Sequence, residues 1–140
     1  MSDDIQGNGV SLADGEDRAS AAAAEQRRSL FAEISREMVR IYKEQFGRGP
    51  TKAKTGFADP DTIVCTLEDS LTPAERRMVD LGEHQRLRDI RMFFQHASEN
   101  SFRESIERLT GRRVRAFVSG IDAEHDVATE VFHLEPQDPS

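Results

Sequence analysis

Phe46-Gly47-Arg48-Gly49-Pro50-Thr51-Lys52-Ala53-Lys54 is the stretch on which the fold turns. Gly47 can take the left-handed conformation that closes a helix. Gly49 offers a second free backbone position, and Pro50 forbids the helix from resuming. Upstream, Leu30, Phe31, Ile34, Met38, Ile41, Tyr42 and Phe46 recur at spacings of three and four, which predicts one long amphipathic helix ending at Gly47. The alanine run Ala21–Ala24 leads into it, with Ser20 as the candidate cap. Downstream the period changes to two. Ala53, Thr55 and Phe57 fall on one face, Lys52 and Lys54 on the other. A strand therefore follows the helix directly.

Working outward, Ala58-Asp59-Pro60-Asp61 reads as a turn. Thr62 to Glu68 reads as a returning strand with Ile63, Cys65 and Leu67 inward. Leu71-Thr72-Pro73-Ala74-Glu75 is a helix start: Thr72 caps, Pro73 suits the first turn, and Glu75 reaches back to the cap amide. A short helix runs to about Leu81. A second carries Leu87, Ile90, Phe93, Phe94, Ala97, Phe102, Ile106 and Leu109 as its apolar face, with a kink expected near Asn100 and Ser101. Gly111 closes it. Arg113 to Ser119 alternates, placing Val114, Ala116 and Val118 together, and Gly120 to Asp126 reads as a loop. Val127 to Leu134 is the last strand, with Ala128, Phe132 and Leu134 inward. The order is helix, hairpin, helix pair, hairpin. It predicts an α+β domain with an antiparallel four-stranded sheet and helices packed on one face.

The chain has 140 residues, which suits one domain. Residues 1–19 are polar and acidic with no apolar period and are expected to be a disordered tail. The domain should span 20–135, and 136–140, with two prolines, a second tail. Hydrophobic residues make up 36%, enough for one modest core. The 1 Cys rules out an internal disulfide and fits a reducing cytoplasm. No apolar run is long enough to span a membrane, and the N-terminus lacks the pattern of a secretory signal. Net charge is −7, with two basic blocks set between acidic ends and an acidic middle. A general nucleic-acid binder needs a basic surface to neutralise phosphates, so that class is excluded.

Candidate chemistry is sparse. Arg48, Gly49, Thr51, Lys52 and Lys54 crowd free amides and positive charge onto one joint, which would suit a phosphate, a carboxylate or an acidic partner. The alternative is a plain helix stop with exposed lysines. The spacing is not that of a P-loop. His84, His96, His125 and His133 form no pair at metal-ligand spacing, and Asp122, Glu124, His125 and Asp126 read as an acidic hairpin loop, so neither a metal nor a cofactor is expected. Cys65, inward in a strand, reads as a small hydrophobe. No nucleophile pattern stands out. A lean domain with exposed strand edges, and Val127 and Val131 facing outward, points to a homodimer.

Several of these pieces recur in one family. Glu37-Met38-Val39-Arg40-Ile41-Tyr42-Lys43 followed by the joint, Leu67-Glu68-Asp69 with Leu71-Thr72-Pro73-Ala74-Glu75-Arg76, then Thr110-Gly111-Arg112 and Glu130-Val131-Phe132, resemble the MpsC-like proteins of bacteria and archaea. The resemblance runs from about residue 28 to 135 in consistent order. It implies a component of a Na+-linked system that generates membrane potential, beside membrane partners related to inorganic-carbon uptake. It supplies no catalytic residues. The expectation is a soluble, cytoplasmic, non-enzymatic accessory or regulatory protein working through a membrane partner. Its rivals are an anion-sensing domain built on the joint and an enzyme of unrecognised type.

Overall fold

The computed structural model describes residues 11–137, so the expectations for residues 1–10 and 138–140 lie outside the described residues. The chain divides into two units between Leu30 and Phe31. The first helix, α1, spans Ser11–Phe46. It begins earlier than the cap expected at Ser20, which lies in its interior. Glu16, Arg18, Ala19 and the alanine run are strong helix formers, so nothing local stops the helix there. In this first unit an exposed Glu25–Arg28 pair at 2.6 Å adds one-turn support.

The second unit holds the core. Its part of α1 buries Ile34, Met38, Ile41 and Tyr42 on one face. Strands β1 (Lys52–Asp59) and β2 (Thr62–Glu68) pair antiparallel, with a bulge between Phe57 and Asp59. Three helices follow: α2 (Pro73–Asp80), α3 (His84–Ala97) and α4 (Glu99–Thr110). The expected single second helix is broken at Ser98, slightly before the predicted kink. Strands β3 (Val114–Asp122) and β4 (Val127–Leu134) complete an open sheet in the order β1-β2-β4-β3, antiparallel throughout. The α+β class and the four-stranded antiparallel sheet are as expected.

The inner face of the sheet buries Ile63, Cys65 and Leu67 from β2 and Ala128, Phe132 and Leu134 from β4. Phe102 of α4, Phe117 of β3 and Phe132 of β4 form a stacked column with centroids 5.2 and 5.0 Å apart. That column corrects the expectation for β3. A register shift between Val114 and Ala116 inserts one residue, so the alternation inverts after it. Phe117 then faces the core opposite Phe132, while Val118 lies outward and is 55% exposed. The strand also continues to Asp122, into the first part of the stretch expected to be loop.

A second correction concerns α3. Leu87, Arg91 and Gln95 are its buried residues. Ile90, Phe93 and Phe94, expected inward, are 42%, 69% and 42% exposed. Both stripes have helical spacing. The core has chosen the more polar one, because Arg91 and Gln95 find buried partners there.

Candidate functional site

At the joint, Gly47 has φ 80° and its amide donates to Lys43 O at 2.9 Å, the helix closure expected of it. Gly49 is needed for a different reason. A Cβ there would lie 3.0 Å from Val39 Cγ1 and 3.2 Å from Val39 O, so only glycine lets the chain pass this close to α1. Arg48 is half-buried and occupied. Its Nη1 donates to Asp69 O at 2.6 Å and to Leu71 O at 3.1 Å, and its Nη2 pairs with Asp69 Oδ2 at 3.2 Å. Thr51 Oγ1 donates to the same Oδ2 at 2.8 Å. Arg76 also pairs with Asp69, and with Asp126 at 3.3 Å. The Thr51 hydrogen bond, then Arg48 and Arg76, hold the Asp69 carboxyl below its ordinary range. Asp69 and Asp126 both sit at positive φ, 61° and 55°, and Asp126 accepts the amides of Ser70 and Leu71 at 2.9 and 3.2 Å. Thus Arg48 and Thr51 converge on a carboxylate of the chain itself. Lys52 and Lys54 lie on β1 facing away from the core, opposite Glu68 and Thr66. The shallow depression beside Lys52 is also lined by Glu68, Asp69 and Asp126.

Behind the joint lies a buried ion pair. Arg91, 1% exposed, reaches Glu75 with Nε at 2.7 Å and Nη2 at 2.6 Å. Nη2 also donates to Ser70 O at 3.0 Å, and the guanidinium stacks 3.7 Å above the Phe46 ring. Glu75 accepts the Thr72 amide at 2.8 Å while Thr72 Oγ1 accepts the Glu75 amide at 3.2 Å, so the predicted capping box is present. Burial works to raise the Glu75 carboxyl, but Arg91 and the cap amide outweigh it and leave it lowered.

The least expected group is Glu130. It is 0% exposed on the inner face of β4. Its Oε1 accepts from Tyr42 OH at 2.8 Å, from Ser119 Oγ at 2.8 Å and from Gln95 Nε2. Oε2 has no partner. No cation faces this carboxyl among these contacts. Burial therefore dominates the opposing hydrogen bonds and pushes it up to about 7. Tyr42 is driven well above its ordinary value by the same burial and by Glu130. Gln95 and Ser119 also line an open cleft of about 430 Å³, whose other walls include Met92, Phe93 and Phe117. The buried acid is thus joined by single hydrogen bonds to two walls of a mostly apolar cleft. It can hold or release a proton near neutral pH.

Glu130 was legible in the alternation that placed Ala128, Phe132 and Leu134 inward, since residue 130 shares their face. Arg91 and Gln95 follow Leu87 at intervals of four, so the polar stripe was visible too. Cys65 is buried as expected, with its thiol pushed up to about 12 by desolvation. His125 Nδ1 lies 3.1 Å from Asp122 in the β3–β4 turn. Among the described residues no group of three or more His, Cys, Asp or Glu is placed to hold a metal ion.

No curated protein and no solved structure matches the chain. A family model described as Na+-translocating membrane potential-generating system (MpsC) matches residues 26–136, which take in the whole sheet, the joint, the buried ion pair and Glu130. The chain belongs to the MpsC family.

Proposed function

We propose that the protein is a non-enzymatic accessory component of a Na+-linked membrane potential-generating system, held to a protein partner by the exposed stripe of α3. The observation that carries this reading is the pairing of Ile90, Phe93 and Phe94 at the surface with Arg91 and Gln95 in the core. Large apolar side chains in a row on one helix face are costly in water and mark interaction surfaces. The cleft beside Phe93 extends that surface. No described helix is long and apolar enough to cross a membrane, so in this reading contact with the membrane system runs through the partner. The protein works in the cytoplasm and is peripheral at the membrane. The family resemblance adds membrane partners related to inorganic-carbon uptake.

Capture from solubilised membranes tests this. The wild-type chain should retain a membrane protein, and the Ile90→Ser/Phe93→Ser double variant should lose it with an unchanged melting temperature. Equal capture by the two would remove α3 as the contact.

A second reading keeps the joint as a sensor of a small anion. It is favoured by Lys52 and Lys54, both exposed, beside the free rim of the sheet, and opposed by the carboxylates around Lys52. Lys52→Ala/Lys54→Ala should abolish any thermal shift produced by phosphate or bicarbonate. If neither anion shifts the wild type, this reading fails. In the first reading the protein acts as a homodimer, and the surface that makes it is argued next.

A further inference from the structure

The sheet has two faces, and only one is buried. The outward positions of its four strands line up in rows across the sheet. One row reads Gly56, Val64, Val131, Val118 from β1 to β3, and the next reads Lys54, Thr66, Thr129, Gly120. A third, at the end of the sheet, reads Lys52, Glu68, Val127, Asp122. None of these residues is buried, and Val118 stands 55% exposed. The middle of this face is β-branched and uncharged, which is the composition of an interior sheet surface.

We propose that this outward sheet face is the homodimer interface, closed by a twofold axis that runs parallel to the strands. The proposal rests on the homodimer reading above and adds its surface and symmetry. Such an axis lays β1 of one copy over β3 of the other and β2 over β4, and keeps each row in register. The rows then prove self-complementary. Val118, the most exposed side chain of its row, meets Gly56 of the second copy, which has none. Val64 meets Val131, and Thr66 meets Thr129. The long side chain of Lys54 meets Gly120. At the sheet end Lys52, a cation, meets Asp122, an anion, so these two corner charges attract across the axis, while Glu68 faces Val127 and keeps Lys52 of its own sheet as its cross-strand neighbour. An isologous contact requires this kind of reciprocity, and an arbitrary surface rarely has it in size and charge together. Two twisted sheets can pack aligned in this way about 10 Å apart.

Extent sets the size class of the contact. Four strands spaced about 4.8 Å apart and about 25 Å long present on the order of 500 Å² per copy. Two copies would bury about 1,000 Å², the lower end of a specific interface, the size class of weak and transient contacts.

Sedimentation equilibrium on the full chain at roughly 100 µM, a concentration suited to a weak contact, should give the mass of a dimer. Val131→Lys and the edge variant Val118→Lys should each give a monomer with unchanged far-ultraviolet dichroism. Val118 is so exposed that its replacement cannot prevent folding. Lys52→Glu alone and Asp122→Lys alone should each weaken the dimer at least tenfold, and the two together should restore it. A monomeric wild type would overturn both the homodimer and this face. A wild-type dimer that persists in both valine variants would overturn the face alone. If Ile90→Ser/Phe93→Ser dissociates that dimer, α3 is the interface instead. Monomeric valine variants without rescue in the charge swap would overturn the axis.

Discussion

Among the described Asp, Glu, Lys and Arg residues, Arg91 and Glu130 are the two buried deepest, at 1% and 0% exposure, and they are satisfied in opposite ways. Arg91 meets a carboxylate at two points, a carbonyl, and an aromatic face. Glu130 meets three donors, all on one oxygen, and no cation, while its second oxygen has no partner. Burial alone says nothing about what a charge does in a fold; the match of its partners decides. A matched charge is fixed and structural. A half-matched one stays close to neutralising and responds to pH.

The largest effect should come from breaking the matched site. Arg91→Ala removes the cation that pairs with Glu75 while Glu75 stays half-buried, and it opens a cavity over Phe46. Removing one partner of a buried pair costs about 3–5 kcal/mol. Chemical denaturation should show that loss, and a loss under about 1 kcal/mol would mean that water replaces the guanidinium freely. In the half-matched site the effect depends on pH. The folded pKa of Glu130, about 7, lies above its unfolded value, so the native state binds more protons between the two. Its contribution to stability is fully present below about pH 4.5 and is lost as pH rises through 7. At pH 8 the buried carboxylate costs up to about 3 kcal/mol. Glu130→Gln keeps the accepting oxygen and cannot ionise. The variant should be the more stable protein at pH 8, and its stability should change less between pH 5 and 8. Parallel curves for variant and wild type would show that the acid is not held as its surroundings indicate.

Much of this architecture is local chemistry and could be read from the sequence. The helix stop at Gly47, the capping box at Thr72 and the period-two strands each need only a few neighbouring residues to specify them. The failures share a physical cause. Gly49 has the residue type of a free backbone angle, yet its role is set by Val39, ten positions away and across the joint. The β3 bulge inverts Phe117 and Val118 because the register against β4 demands it, and no local signal in Arg113–Ser119 announces the inserted residue. In α3, two stripes compete for the core. Hydrophobicity favours Ile90, Phe93 and Phe94, but Arg91 and Gln95 have partners waiting at Glu75, Ser70 and Glu130 that appear only once distant segments meet. Of the candidate site residues, Arg48 and Thr51 are brought together on Asp69, Lys52 lines the depression beside them, and Lys54 lies further along β1 on the outward face of the sheet.

The smallest effect should sharpen the contrast most. Thr72→Ala removes the oxygen that accepts the Glu75 amide at 3.2 Å, and cap losses cost about 0.5–2 kcal/mol. Taken singly this is an ordinary helix-cap result. Its value lies in combination, because Glu75 serves the cap and Arg91 at once: its Oε1 accepts from the Thr72 amide at 2.8 Å and from Arg91 at 2.6 Å. When Arg91 is gone, the Glu75 carboxylate is no longer held in place from its second side, and the cap has already lost its fixed partner. Thr72→Ala should therefore cost less in the Arg91→Ala background than in the wild type, with a coupling of about 0.5 kcal/mol or more. Combined with Glu130→Gln it should simply add, since no contact joins Thr72 or Glu75 to the Tyr42–Glu130–Gln95 cluster among the described hydrogen bonds. Denaturant midpoints for the two double variants and their singles measure both couplings at once. Equal coupling in the two backgrounds would mean that the matched and half-matched sites are one network, linked through α3, where Arg91 and Gln95 stand one turn apart.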